Sequence, residues 1–377
     1  MTNTGGDSSA GRFSRRGALA RASFRALAAV LGVLLVSPAR AQEEADGQFS
    51  LVPFALPAYQ PETSFLLGGA ASLVYQPPKD SGRRESQVLL AGAASIKGQF
   101  TVLLQPDVYF LDDRLNLTAT ASAAKFPDRF FGTGASTRME DEETYTPVYF
   151  EVELSPKWRV APRLYVGPTL RGQHARISEM AEEGALRSVT GAAGGTTLQL
   201  GLTALYDSRD NTLNPLTGLL ARLNLRSARE DWGSDYAFDV LRLDARRYFT
   251  LPWAQRHVLA LQGLVELRRG EPPFYDTGRL GGMELSRGHL EGRFRERQHL
   301  GAQVEYRAPL FWRLGGVAFA SAATVARSLE DVEADAIKPA AGLGLRFAPL
   351  ADVPVNLRLD VAYGSELSFY LNVGEAF

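Results

Sequence analysis

Four histidines, His174, His257, His289 and His299, are the side chains in this sequence best suited to act as a general base near neutral pH. None lies near a Gly-x-Ser-x-Gly motif, which would supply a nucleophilic serine, and no pair has the His-x-x-x-His spacing of a zinc site. The chain has no cysteine, which excludes thiol catalysis, disulfides and cysteine metal sites. We therefore expect no enzymatic activity, no metal site and no cofactor.

Ion pairing in a water-poor site is the other chemistry that the residue types indicate. The stretch from Gly270 to Arg307 is rich in glycine and arginine and is too long for a hairpin loop. Its apolar residues can be buried, so we expect it to fold back against the protein with Arg287 at its tip. A guanidinium keeps its charge and gains most from bidentate pairing with carboxylates. Glu305 and Asp360, on the polar faces of later segments, are the expected partners.

The segments that would position these residues alternate strictly between apolar and polar side chains. Leu219 to Ser227 and Val355 to Tyr363 are two examples of this period of two. The alternating segments run to about 9 to 13 residues, which suits a tilted membrane crossing better than a soluble sheet. After residue 41, no apolar run reaches the roughly 18 residues of a transmembrane helix. The pattern predicts an all-β, transmembrane antiparallel β-barrel of about 16 strands.

The predicted strands leave the longer connections on one side of the membrane. We place them near 48–58, 63–75, 86–97, 100–110, 113–124, 145–155, 158–173, 196–208, 217–228, 236–250, 255–269, 299–309, 315–326, 339–347, 354–364 and 367–377. Long loops then lie outside, with one of them folded into the lumen, and short turns such as Ser155–Lys157 and Leu111–Asp113 face the periplasm.

The N-terminus predicts export. Five arginines precede the apolar stretch Ala26 to Val36, and Ala39-Arg40-Ala41 suits cleavage, so residues 1–41 are interpreted as a signal peptide. Ser14-Arg15-Arg16 also resembles a twin-arginine signal, but that route carries folded cargo, and we favour the general secretory route. Residues 42–377 would then form the barrel, with 35 basic and 41 acidic residues and a net charge of −6. That balance indicates no nucleic-acid partner.

The final segment continues the alternation. Leu367, Phe369, Leu371, Val373 and Phe377 share one phase, and an aromatic residue at the end resembles the assembly signal of bacterial outer-membrane barrels.

Four motifs in order resemble the BamA/TamA family, the bacterial surface antigen barrels. The first is an acidic-Arg turn with proline and glycine. The second is a loop with Gly281-Gly282 and an Arg287-Gly288-His289 tip. The third is Glu305-Tyr306-Arg307, and the fourth is residues 356–360 with Arg358 and Asp360. The turn is formed by Asp207, Arg209, Asp210, Pro215 and Gly218. The match covers residues 198–377 well and 48–197 weakly.

The resemblance implies a location in the bacterial outer membrane and a loop whose arginine meets acids on the barrel wall, with Arg307 and Arg358 near those acids. There are two departures in the motifs: His289 stands where the family has Phe or Tyr, and Ser321 stands where a lumenal Asp is common. The first strand is predicted about seven residues after the cleavage point, which leaves no room for the POTRA domains of the best-known members, so the chain resembles a POTRA-less branch.

The functional expectation is insertion, assembly or translocation of proteins through the seam between the first and last strands, with the loop as a plug. The partners would be outer-membrane lipid and either unfolded outer-membrane protein clients or a periplasmic partner protein. The alternative is a scaffold or passive pore that works with a separate periplasmic partner. Many lumenal charges and a loop of nearly thirty residues argue against an open pore.

Overall fold

The computed structural model describes residues 47–60, 64–78, 81–350 and 353–377. The predicted signal peptide lies outside these residues. Within them, sixteen long strands and three short ones are present. The long strands are β1 (Gln48–Gln60), β2 (Ser64–Gln76), β3 (Ser86–Ser95), β4 (Phe100–Phe110), β5 (Leu115–Lys125), β7 (Glu143–Ala161), β8 (Leu164–Ser178), β9 (Gly195–Asp207), β10 (Gly218–Ala228), β11 (Phe238–Thr250), β12 (Val258–Gly270), β15 (Gln298–Phe311), β16 (Leu314–Ala326), β17 (Lys338–Phe347), β18 (Leu357–Tyr363) and β19 (Leu367–Val373). The short ones are β6 (Asp128–Phe130), β13 (Gly278–Leu280) and β14 (Phe294–Glu296).

Each long strand pairs antiparallel with the next, from the β1–β2 ladder through to the β18–β19 ladder. The prediction of an all-β antiparallel barrel fold with about 16 strands is confirmed. Among the residues that the structure describes, no ladder joins β1 to β19, so the two edges of the sheet define a seam. No helix within the described part of the chain has the length and apolar character to cross a membrane.

The sheet is inside out compared with a soluble protein. In β15, Gln303, Glu305 and Arg307 are buried, whereas Val304 and Tyr306 between them are about two-fifths exposed. Apolar side chains can face outward in this way only where the surroundings are also apolar, and the buried charges require an enclosed interior in which they pair. The burial pattern therefore agrees with lipid outside and a polar lumen inside.

One predicted turn is misplaced. Ser155–Lys157 lies within β7, and the chain turns instead at residues 162–163, where Arg163 has a φ of 66°. Pro156 favours a turn by its type, but here it pairs with Leu117 of β5 and lies where the ladder between β7 and β8 is interrupted. Its missing N–H is therefore not needed by a neighbour. The predicted turn at Leu111–Asp113 is present, and all three residues have positive φ.

The last strand is shorter than predicted, because β19 ends at Val373 and not at Phe377. Gly374 has a φ of 91°, and the residues that follow turn into the lumen. Near this end, Val355 and Val373 are buried together with Val52 of β1 and Val74 of β2. This apolar cluster brings the two edges of the sheet close together at the periplasmic side.

Candidate functional site: a plug loop clamped inside the barrel

The connection between β12 and β15, residues 271–297, folds into the barrel and is called the plug loop below. Its strands β13 and β14 form a small hairpin of their own. Leu280, Leu285 and Phe294 are buried against Leu264 of β12 and Val325 of β16. The apolar residues of the loop thus hold it against the inner wall.

The tip itself depends on glycine. Gly281 and Gly288 have φ values of 112° and 105°, which non-glycine residues rarely adopt. A Cβ atom on Gly288 would also collide with the backbone of Tyr363 and Gly364. Gly282 has a φ of 93°, and its N–H donates to the carbonyl of His289. This bond joins the segment that leads into the tip to the segment that returns from it.

Arg287 is fully buried at the tip and is clamped between two strands. Its Nη1 donates to Asp360 Oδ2 at 2.5 Å, and its Nη2 donates to Glu305 Oε2 at 2.7 Å. Gln303 accepts a longer bond of 3.3 Å from Nη2, and the guanidinium carbon lies 3.5 Å from the ring centroid of Phe319. Two carboxylates and one aromatic face therefore replace the water that a free arginine would bind.

Other arginines hold the two carboxylates in place. Arg307 Nε donates to Glu305 Oε1 at 2.7 Å, and Arg346 Nη1 donates to Asp360 Oδ1 at 2.6 Å. Arg358, which the sequence places among the lumenal partners, lies 3.5 Å from Asp360 and also donates to the carbonyl of Met283 in the plug loop at 3.0 Å. Each acid is thus shared between the tip arginine and at least one wall arginine.

Next to Arg287, the tip contacts the hairpin between β18 and β19. The N–H of Gly288 donates to the hydroxyl of Tyr370 at 2.9 Å. His289 Nδ1 accepts from the N–H of Ser365 at 3.0 Å, and its Nε2 lies 3.2 Å from the carbonyl of Pro339. These bonds require the neutral imidazole with its proton on Nε2. Burial lowers the pKa of His289, in agreement with that neutral form.

A second anchor holds the base of the plug loop to the opposite wall. Asp276 is buried and accepts from Arg171 of β8 at 2.7 Å and from Gln199 of β9 at 2.6 Å. Arg171 also pairs with Glu151 of β7 at 2.8 Å. Asp276 could not be selected from the sequence, because nothing in its spacing distinguishes it from other acids in loops.

The loop also contacts the connection between β5 and β7. Arg293 donates to the hydroxyl and the carbonyl of Thr137 at 2.7 and 2.8 Å, and Gly134 donates its N–H to the carbonyl of Arg295 at 2.9 Å. The plug loop therefore contacts both halves of the sheet, which curls around it.

The predicted turn motif lies at the periplasmic side, away from the plug tip. Arg209 folds back onto Asp207 with bonds of 3.0 and 2.9 Å, and Arg84 from the β2–β3 connection reaches the same carboxylate at 2.7 Å. Asp210 accepts backbone N–H groups from residues 211, 216 and 217. Gly218, three residues after Pro215, has a φ of 109°, and its lack of a side chain allows another backbone segment to approach it closely. These contacts give the motif a structural role: they hold the turn in a single conformation.

The predicted assembly-signal residues separate into two groups. Phe369 and Leu371 are exposed on the lipid-facing side, as the alternation implies, whereas Val373 is buried at the edge of the cluster with Val355. Phe377 is only 4% exposed and stacks in the lumen on Tyr248, with ring centroids 6.2 Å apart. Its expected outward position is wrong, because the chain turns inward at Gly374.

The histidines are distributed over separate sites. His174 contacts Thr196, His257 contacts Tyr306, and His299 contacts Glu266. Within the described residues, no group of three or more His, Asp or Glu side chains is placed to hold a metal ion. Ion pairs and hydrogen bonds are the interactions that the polar side chains of the interior make.

A long-stranded antiparallel sheet with lipid-facing apolar residues, a charged lumen and a loop folded inside defines a β-barrel of the bacterial outer membrane. The comparison with known families agrees: the model described as the Omp85 superfamily domain matches residues 97–377. The chain belongs to the Omp85 superfamily, and the resemblance to BamA/TamA-type barrels is confirmed.

Two solved structures align with most of this chain. BamA from Haemophilus ducreyi lacking POTRA domains 1–3 is 14% identical, with a TM-score of 0.54 over 88% of this chain and 69% of that chain. CdiB from Acinetobacter baumannii is 9% identical, with a TM-score of 0.49 over 86% of this chain and 58% of that chain. No curated protein matches the sequence. Membership of the Omp85 superfamily supports outer-membrane protein assembly or secretion as the general class of function.

Proposed function

We propose that this barrel inserts or translocates client proteins through its seam, and that the plug loop keeps the barrel closed and ordered between clients. Two features together carry the proposal. In the described residues no ladder joins β1 to β19, and the plug loop is clamped to β15 and β18, the latter being the direct neighbour of the edge strand β19. A plugged lumen does not suit a passive pore.

Edge strands carry the mechanism. Unpaired N–H and C=O groups on the edges of β1 and β19 would accept an extended client strand by β-augmentation. Pro53 and Pro57 of β1 have no N–H, and proline in a sheet is confined to edge strands and bulges. Two missing donors weaken pairing along β1, which supports a seam that exchanges partners.

The test is insertion of an unfolded outer-membrane barrel into liposomes that contain the purified protein. We expect faster insertion than with empty liposomes, and loss of the acceleration with Arg287→Ala. A matched control is Arg269→Ala, which removes an exposed arginine at the end of β12. No acceleration by a folded wild-type barrel, judged by heat-modifiable gel mobility, would contradict a stand-alone insertase.

A partner-dependent scaffold is the second candidate, and the periplasmic rim supports it. Four turns surround a cavity of about 890 Å³ whose lining includes Arg83, Arg159, Arg163 and Asp210. A polar, arginine-rich recess of this size would suit a separate periplasmic protein. Pull-down of a periplasmic protein by the wild type, lost when Arg159 and Arg163 are changed to Ala, would favour this candidate over the first.

A further inference from the structure

The residues after β19 form a short segment inside the barrel, here called the inner segment (residues 374–377). Gly374 redirects the chain with its φ of 91°, and its N–H donates to the carbonyl of Asn356 at 2.7 Å. The side chains of Glu375, Ala376 and Phe377 are buried. Glu375 occupies the lipid-facing phase of the predicted strand, where a carboxylate is costly, and the inward turn removes it from lipid.

Specific contacts hold the inner segment in the lumen. Glu375 Oε2 accepts from Arg346 Nε at 2.7 Å, and Glu375 Oε1 accepts from Asn356 Nδ2 at 2.7 Å. Arg307 Nη2 donates to the backbone carbonyl of Phe377 at 2.9 Å. The ring of Phe377 lies in an apolar site with Tyr248, Val258 and Ala260. The segment is therefore bound as specifically as the plug tip.

The same two arginines hold the carboxylates that clamp the plug tip. Arg346 bonds both Glu375 and Asp360, while Arg307 bonds both Phe377 and Glu305. Asp360 and Glu305 in turn bind Arg287. A continuous buried network thus links the inner segment, which follows the last strand, to the tip of the plug loop.

The charge balance of this network gives the link a direction. Four guanidinium groups share three side-chain carboxylates and the main-chain oxygen of Phe377; the cations are Arg287, Arg307, Arg346 and Arg358, and the side-chain acids are Glu305, Asp360 and Glu375. Withdrawal of the inner segment would remove Glu375 and the Phe377 oxygen together and leave the four buried cations with two side-chain acids, and excess buried charge is costly. Of the four cations, only Arg287 lies on a loop and can leave without disrupting a strand.

We propose that the inner segment is a latch that couples the pairing of β19 to the docking of the plug loop. When β19 leaves the sheet, Glu375 leaves the network, and Arg287 is released from its clamp. The trigger, a client strand that displaces β19, rests on the proposed function. The coupling itself is a property of the barrel alone and is measured without a client.

The absence of cysteine allows a direct test. Ser286, beside Arg287, is fully buried, so a Ser286→Cys reporter in the folded barrel should react slowly with a maleimide. We expect Glu375→Gln to increase the rate at least tenfold, toward the rate seen with Arg287→Ala. Glu375→Asp keeps the charge and should stay near the wild-type rate. Glu330→Gln, which removes an exposed carboxylate from another loop, should have no effect.

A rate in Glu375→Gln that equals the Glu330→Gln control would overturn the latch. If Glu375→Gln does not fold, as judged by heat-modifiable gel mobility, Arg346→Lys replaces it as the test. Lysine lacks the two-pronged guanidinium group, so we expect a higher reporter rate. An unchanged rate would again overturn the proposal. Failure of client insertion with an intact latch response would contradict the proposed function alone. Insertion without a latch response would contradict only the coupling.

Discussion

The two walls that meet at the seam are built from different chemistry. Strands β1, β2 and β3 contain no charged residue, and a neutral bond of 2.6 Å from Gln87 to Ser72 is typical of their lumenal face. Strands β15 to β18 carry Glu305, Arg307, Arg346, Arg358 and Asp360, all buried and paired.

This difference shows which side of the seam is costly to disturb. Displacing β1 unpairs backbone groups and separates apolar side chains, but β1 itself contains no charged residue. Displacing β19 pulls Glu375 from a network of guanidinium groups.

The largest effect should come from removing an acid from the charged wall. Asp360→Ala leaves Arg287, Arg346 and Arg358 without a shared carboxylate, and breaking a buried pair in this way costs about 3–5 kcal/mol. We expect undocking of the plug loop, measured as fast maleimide reaction at a Ser286→Cys reporter.

The matched change on the uncharged wall is Ser72→Ala, which removes one neutral hydrogen bond worth about 1 kcal/mol. The plug loop should stay docked in that variant. Equal reporter rates in the two variants would show that the contrast between the walls does not govern docking.

The base anchor of the plug loop should matter less than its tip. Asp276→Asn keeps the shape but removes the charge that meets Arg171, which still retains Glu151. Hydrogen bonds to charged groups contribute about 1.5–3 kcal/mol, so we expect partial loosening of residues 274–276 in amide hydrogen exchange. Protection of the tip should change little, and a larger loss there than in Asp360→Ala would reverse the ranking of the two anchors.

Much of this organisation could be predicted from the sequence, because alternation with period two sets both the strands and their faces. Glu305 and Asp360 could be selected since each has a type and a phase that place a charge in the lumen, and Arg287 could be selected as the charged tip of a long loop with buried apolar residues. Asp276 could not be selected, because the fold of a long loop decides which residue pairs with it. Glu375 could have shown where the last strand ends, because an acid in the lipid-facing phase indicates that the strand stops before it. Pro156 led to a wrong turn prediction, because a proline fits within β7 only where the ladder between β7 and β8 is interrupted.

Acid should loosen the tip through His289. Burial lowers the pKa of His289 below its ordinary value of 6.5, so the docked state favours the neutral ring. The resulting stability is fully present above pH 6.5 and is lost as pH falls through the docked pKa. We expect faster Ser286→Cys labelling at pH 5.5 than at pH 7.5, after correction for the thiolate fraction with an exposed cysteine control. His289→Gln should remove most of this dependence, and an unchanged pH response would assign it to other groups.

The smallest effect should come from repairing the uncharged edge. Pro53 of β1 is exposed toward lipid, and Thr at this position restores an N–H at no cost in strand propensity. One added hydrogen bond contributes about 1 kcal/mol, so Pro53→Thr should raise the unfolding temperature slightly in heat-modifiable gel assays and slow client insertion. Pro168→Thr is the control, because Pro168 is also exposed but lies in β8, far from the seam, where it pairs with Leu202 of β9. If both changes slow insertion equally, the seam has no special role, because a donor added far from it would then act as strongly as one added at its edge.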